Sequence, residues 1–395
     1  MHIPPADSLD RRHRPNAEIE VLRAIAIIFV IIKHGPLICM PYPAGGLERL
    51  QDWINPETGV DLFFVISGYL IGRSFVGPYE ASEYRGVPHR VQRVGSFWVR
   101  RFYRLVPAAT LWCVLPLIAS LISGNVALWL TPREMFFKAI SGIVSLRNFE
   151  ESYHRSFFGY YWSLSVENQF YVVLPLMLLV VARRWRIRGL VALCALNAVW
   201  RPGGDVWWLF RYDGLVYGLL LFEFERSGLG AIMALCLPRK LPGCVVMMVG
   251  AWTVLLTFPL ILIDFHPLAW AVANCAAFLL VFAASQQQGL IPTPLGLGRP
   301  MLWIGARSYS LYLCHIPIWF VVIDVMRHTG LGSENFVPLR FMIAALATLT
   351  AAELTYRWLE LPLQERGRIR ARALDNRSGG HATQGQLIAG LRDPG

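Results

Sequence analysis

Long apolar blocks decide what this chain can become. Stretches such as 19–39, 58–76, 105–123 and 242–263 carry few charges and run close to bilayer-crossing length. A helix needs about 20 residues to cross the hydrocarbon of a bilayer. Further blocks lie at 167–183, 188–201, 206–224, 268–285, 303–326 and 337–360. A backbone in lipid must satisfy its own hydrogen bonds, and apolar runs of this length do so as helices. The expected fold class is therefore all-α, a polytopic membrane bundle of about ten transmembrane helices. One further block, 134–146 (EMFFKAISGIVSL), is too short and too polar to cross and is expected as an interfacial or re-entrant helix. Only 16% of the 395 residues are charged, where a soluble domain usually has about a quarter.

The net charge of +11 raises the question of nucleic acid, but the arginines sit in short loops between apolar blocks. That placement reads as topology, with Lys and Arg held on the cytoplasmic side. Arg11, Arg12 and Arg14 precede the first block, and Arg85, Arg90, Arg93, Arg100, Arg101 and Arg104 follow the second. Arg183, Arg184, Arg186 and Arg188 follow the 167–183 block, and Arg366, Arg368, Arg370 and Arg372 follow the last. All four clusters share one side only if 134–146 does not cross, which puts both termini in the cytoplasm. The chain then divides into a cytoplasmic segment 1–18, a transmembrane domain 19–365, and a tail 366–395, basic and then disordered. A tight turn is expected at 202–205. The polar, proline-bearing N-terminus does not read as a cleavable signal. The seven cysteines form no CxxC pair, so neither a disulfide framework nor a metal site is expected.

An ionisable group inside a span costs a few kcal/mol to insert, so such groups are where function is sought. Arg23 and His34 in the first block are eleven residues apart. That is about 20° from three full turns and about 16 Å along the axis, which puts both on one face. Arginine can grip phosphate in a bidentate fork, and a neutral histidine can take and return a hydroxyl proton. The pair suits a donor with phosphates at one end and a reactive carbonyl at the other, which is the shape of acyl-coenzyme A. The alternative is that Arg23 snorkels to the headgroups and His34 packs. Arg101 and Arg104, one turn apart, are either a topology signal or a second grip on the donor.

Read together, the segments LRAIAIIFVIIKH (22–34), GVDLFFVISGYLIG (59–72), RRFYRLVP (100–107), YWSLSVENQFYVVLP (161–175), RYDGLVYG (211–218), WIGARSYSLYLCHIPI (303–316) and RWLELP (357–362) resemble the acyltransferase 3 family of integral membrane acyltransferases. The resemblance implies a ten-helix enzyme with His34 catalytic and Arg23, Arg101 and Arg104 binding the donor. It also implies transfer of acetyl or another short acyl group to a saccharide hydroxyl. Acetyl-CoA would serve as a donor substrate rather than a resident cofactor. The expected partners are that donor, a saccharide or lipid-linked glycan acceptor and membrane lipids, at a bacterial inner membrane. Two departures stand out: Asn168 replaces the second glutamate of a common SLSVEEQF pattern, and no counterpart of the esterase-like domain fused to some members is seen.

Asp61 is expected at the depth of His34, where it could orient the imidazole or simply favour a helix N-terminus. Glu167 is the rival orienter. Trp162 and Ser163 could touch the sugar, though tryptophan is also a routine interface anchor. His315 reads as a packed, hydrogen-bonded histidine that could also contact substrate. Arg211 and Asp213 read as an internal polar network. A transporter of a saccharide or small solute also fits buried charges in a bundle; label from acetyl-CoA appearing on a glycan separates the two.

Overall fold

The computed structural model describes residues 16–81, 87–153, 156–200, 209, 211–237, 241–261, 266–291 and 296–389. These residues are helical with no strand. The principal helices are α1 (Ala17–His34), α2 (Gly46–Trp53), α3 (Thr58–Ile71), α4 (Val87–Ser123), α5 (Pro132–Ile143), α6 (Trp162–Val180) and α7 (Arg183–Val199). They continue with α8 (Asp213–Arg226), α9 (Leu241–Ile261), α10 (His266–Ser285), α11 (Ser308–His328), α12 (Val337–Thr355) and α13 (Leu361–Ala389). Among the described residues, eight helical runs are long and apolar enough to cross a membrane. The chain is thus a polytopic helical bundle.

The two remaining expected spans are helices of a different kind. The 188–201 block begins early, at Arg183, so that four arginines occupy its first turns and shorten its apolar stretch. The 206–224 block yields α8, in which Asp213 through Glu223 are all buried. At fourteen residues it is about 21 Å long, a wedge inside the bundle rather than a lipid-facing wall. The turn expected at 202–205 lies outside the described residues, as do 1–15 and 390–395.

Helix α8 can sit so deep because it crosses α3 through glycine. A Cβ placed on Gly218 would lie 2.1 Å from the Val65 carbonyl oxygen, and one on Gly68 would lie 2.1 Å from that of Leu215. Small residues let two backbones meet in this way within a membrane. Gly218→Val is therefore expected to cost about 3 kcal/mol or more, the upper range for overpacking. Gly250→Ala, at a position with open space around it, should stay within about 0.5 kcal/mol of the parent. Thermal unfolding of both variants in detergent checks this, and equal midpoints would contradict the crossing.

The short block at 134–146 forms α5, which packs against α4. Thr131 and Glu134 form a reciprocal capping box that starts α5. Near the other end, Gly142 meets the Cys113 sulfur, ten residues short of the end of α4 and so about 15 Å below it. The Arg147 backbone N–H then donates to Ser165 Oγ at 3.2 Å, in the first turn of α6. Non-helical backbone at such depth is tolerated when protein surrounds its polar groups. Lys138 Nζ donates to Glu150 at 2.8 Å, and Arg147 Nη1 donates to the same carboxylate at 3.0 Å. Asn168 belongs to this packing: its side chain donates to Ser145 Oγ at 2.9 Å.

The segment after 366, expected as basic and from 373 onward disordered, continues the last helix. It is helical to Ala389, and up to Asp375 it docks along the start of α4. Ser96 Oγ lies 2.7 Å from Asp375 Oδ1 and Arg93 lies 2.9 Å from Asp375 Oδ2. Composition overlooked this docking because it depends on α4 reaching far beyond the apolar core.

Candidate active site

Helix α1 begins where Asn16 Oδ1 accepts the backbone N–H groups of Glu18 and Ile19, at 3.0 and 3.3 Å. It ends immediately after His34, where Gly35 and Pro36 follow. Proline has no N–H to continue the ladder, and Gln51 Nε2, on the amphipathic α2, takes up the Ile32 and Lys33 carbonyls at 3.1 Å each. His34 therefore sits at a fixed break in the helix. Across from it, His34 Nδ1 lies 3.2 Å from His315 Nε2. His315 is thirteen residues short of the end of α11, about 20 Å of rise, so the pair lies deep in the bundle.

A cavity of about 490 Å³ enters from the opposite, arginine-rich side, within the usual range for ligand sites. It follows α3 from Ser74 inward to Val60, about 21 Å of helix. Arg23, Arg73, Arg100, Arg101, Arg104 and Arg368 line it, with Glu167 as a lining carboxylate. Arg101 lies over the Tyr171 ring, 4.8 Å from its centroid, and Glu167 accepts from the Tyr171 hydroxyl. Arg23 Nη1 donates to Glu20 at 3.0 Å. Arg104 lines the cavity and makes no hydrogen bond or ion pair with a described residue.

The expected single cleft from Arg23 to His34 is divided. The cavity stops at Ser163 and Tyr312, whose hydroxyls are 2.6 Å apart, and the Tyr312 hydroxyl donates to the Tyr160 carbonyl. His34 and His315 are not among its lining residues; they stand behind this wall. Tyr312 is three residues before His315 on α11, about 4.5 Å of rise.

Of the residues read from the sequence, Arg23, Arg101, Arg104, Glu167 and Ser163 meet in the cavity, and His34 meets His315. Asp61 lies elsewhere than expected. Gly59, two residues before it, packs against the Ala26 carbonyl and Phe29, so the start of α3 lies about 8–12 Å along α1 from His34. There Asp61 accepts from Arg211 Nη2 at 2.5 Å. Arg211 also pairs with Glu57, and its guanidinium lies 4.8 Å from the Trp162 ring centroid and 4.4 Å from that of Trp270. Trp162 is accordingly buried against a cation. Glu167 is five residues inside α6 and faces the arginines, because the apolar block begins earlier than its hydropathy suggests.

Sequence reasoning missed Arg73, which belonged to none of its clusters, and Arg368, whose cluster it read as topology alone; both line the cavity with Arg100. It noted Tyr312 beside His315 but had no signal for the wall, which joins α6 to α11 over 149 positions.

The profile of the acyltransferase domain matches residues 16–357. The chain is 27% identical to the peptidoglycan O-acetyltransferase OatA of Listeria monocytogenes over 390 residues, covering 91% of this chain and 57% of that protein. It is 27% identical to the putative peptidoglycan O-acetyltransferase YrhL of Bacillus subtilis, with 90% and 56% covered. It is also 27% identical to the O-acetyltransferase OatA of Staphylococcus aureus, with 88% and 57% covered. The chain spans a little over half the length of these relatives, and no solved structure matches it. With the profile covering nearly all of the described bundle, the chain belongs to the acyltransferase family defined by that domain.

Proposed function

We propose that this protein is a membrane O-acetyltransferase. In this reading an acetyl or other short acyl group passes from acyl-coenzyme A, bound on the arginine-lined side, to a hydroxyl of an envelope saccharide. The observation that carries the reading is the polarity of the cavity. Its mouth gathers guanidinium groups around few carboxylates, and its far end is apolar and hydroxyl-lined with a histidine pair just behind. Phosphates fit the first region, since arginine forks match their geometry, and a slender acyl arm fits the second.

His34 acts as general base in this mechanism. It takes the proton of the acceptor hydroxyl as that oxygen attacks the thioester carbonyl. The C–S bond then breaks and the proton returns to the departing thiolate. The acyl end reaches His34 only when Tyr312 swings aside. The names of the relatives support peptidoglycan, or a glycan like it, as acceptor. The arginine clusters support a cytoplasmic face for the cavity mouth in an inner membrane.

Purified protein in lipid nanodiscs, given labelled acetyl-CoA and a glycan acceptor, tests the reading. Label should appear on the glycan; label crossing the bilayer without modifying any acceptor would identify a transporter instead. Arg104→Ala and Arg101→Ala should each raise the donor KM by about tenfold or more, the worth of a charge-assisted hydrogen bond. Their kcat values should change little, and unchanged donor KM values would remove the phosphate site from the cavity.

A further inference from the structure

Which ring donates in the His34–His315 contact follows from the second nitrogen of His315. Its Nδ1 lies 2.8 Å from the Tyr312 carbonyl oxygen and 3.2 Å from that of Leu311. A carbonyl oxygen only accepts, so Nδ1 carries the proton and donates. A neutral imidazole has one N–H, which leaves His315 Nε2 as a bare lone pair. The donor in the 3.2 Å contact is then His34 Nδ1–H. That contact places the His34 proton on Nδ1 and its lone pair on Nε2.

We propose that His315 is a positioning residue for the transfer: by accepting from His34 Nδ1 it holds His34 in the tautomer and orientation that present Nε2 as the base. The inference rests on His34 being that base. His315 is itself held in place. It is fully buried, and its ring stands edge-on to Tyr160 and Trp319 with centroids 5.2 and 5.3 Å away. A histidine kept only for packing has no reason to aim its unprotonated nitrogen at a second imidazole. Once Nε2 takes the acceptor's proton, His34 becomes imidazolium. Its bond to His315 is then charge-assisted and about twice as strong as a neutral one. A neutral acceptor does this without placing a fixed anion deep in a membrane protein, where a charge is costly.

The test compares His315→Phe, which keeps a ring but no acceptor, with His315→Gln, which keeps an acceptor, and with His34→Gln, all as full-length protein with acetyl-CoA and the glycan acceptor. His315→Phe should lower kcat about 100-fold, as loss of an orienting partner can, with the donor KM within about twofold of the parent. His315→Gln should recover about tenfold of that loss. Wild-type turnover in His315→Phe, or no recovery in His315→Gln, overturns the positioning role. Should the phenylalanine variant not fold, the glutamine variant decides alone. A kcat within about 30-fold of wild type at normal donor KM then supports the role, and a larger loss overturns it. The two assignments fail separately. Full activity in His34→Gln would remove the base itself, whereas an inactive His34→Gln beside a fully active His315→Phe would remove only the partner.

Discussion

Replacing His34 with alanine should lower acetyl transfer by about 10²–10⁴-fold, the contribution of a positioned general base. Acetyl-CoA should still bind with a Kd close to that of the parent, because His34 lies behind the wall and not among the residues lining the donor cavity. Equilibrium binding of labelled donor together with single-turnover transfer separates the two quantities. A variant that binds and transfers like the parent would end the assignment. A variant that loses binding in parallel with transfer would mean that His34 shapes the donor site, and the wall would not be the boundary described.

The second large effect concerns stability. Arg211→Leu withdraws a fully buried guanidinium from Glu57, Asp61 and two indole rings. Removing one member of a buried ion pair commonly costs 3–5 kcal/mol, because the charge left behind has lost its compensation. The variant should therefore accumulate poorly or unfold well below the parent in a detergent thermal scan. Adding Glu57→Gln and Asp61→Asn in the Arg211→Leu background should restore part of the loss by discharging the carboxylates. If Arg211→Leu melts with the parent, the cluster is not a structural keystone, and Asp61 becomes available again for a role in chemistry.

How much of this was legible beforehand differs between the frame and the site. Hydropathy and charge are local properties summed along the chain, and they carried the helical bundle and the arginine-rich side. They could not show how completely α8 is buried, because a helix buried in protein and a helix buried in lipid look alike in composition. In the first span the eleven-residue spacing put Arg23 and His34 on one face of α1, and Arg23 lines the cavity while His34 does not. It could not reveal that Tyr312 stands between them. Asp61 shows the general difficulty. Its depth depends on how α3 packs against α1, and its partner lies 150 residues away, so no periodicity encodes the pairing. His315 was visible as a residue, yet its relation to His34 depends on two helices meeting at one level.

The partition of Tyr312, Ser163 and Tyr160 bears on the cell's energy supply. Under the proposed function, with a donor taken from one face and an acceptor met at the other, an open duct through the bundle would let the proton gradient leak. In that reading the Tyr312 phenol, held by hydrogen bonds to the Ser163 hydroxyl and the Tyr160 carbonyl, would serve as a plug that keeps water and ions out.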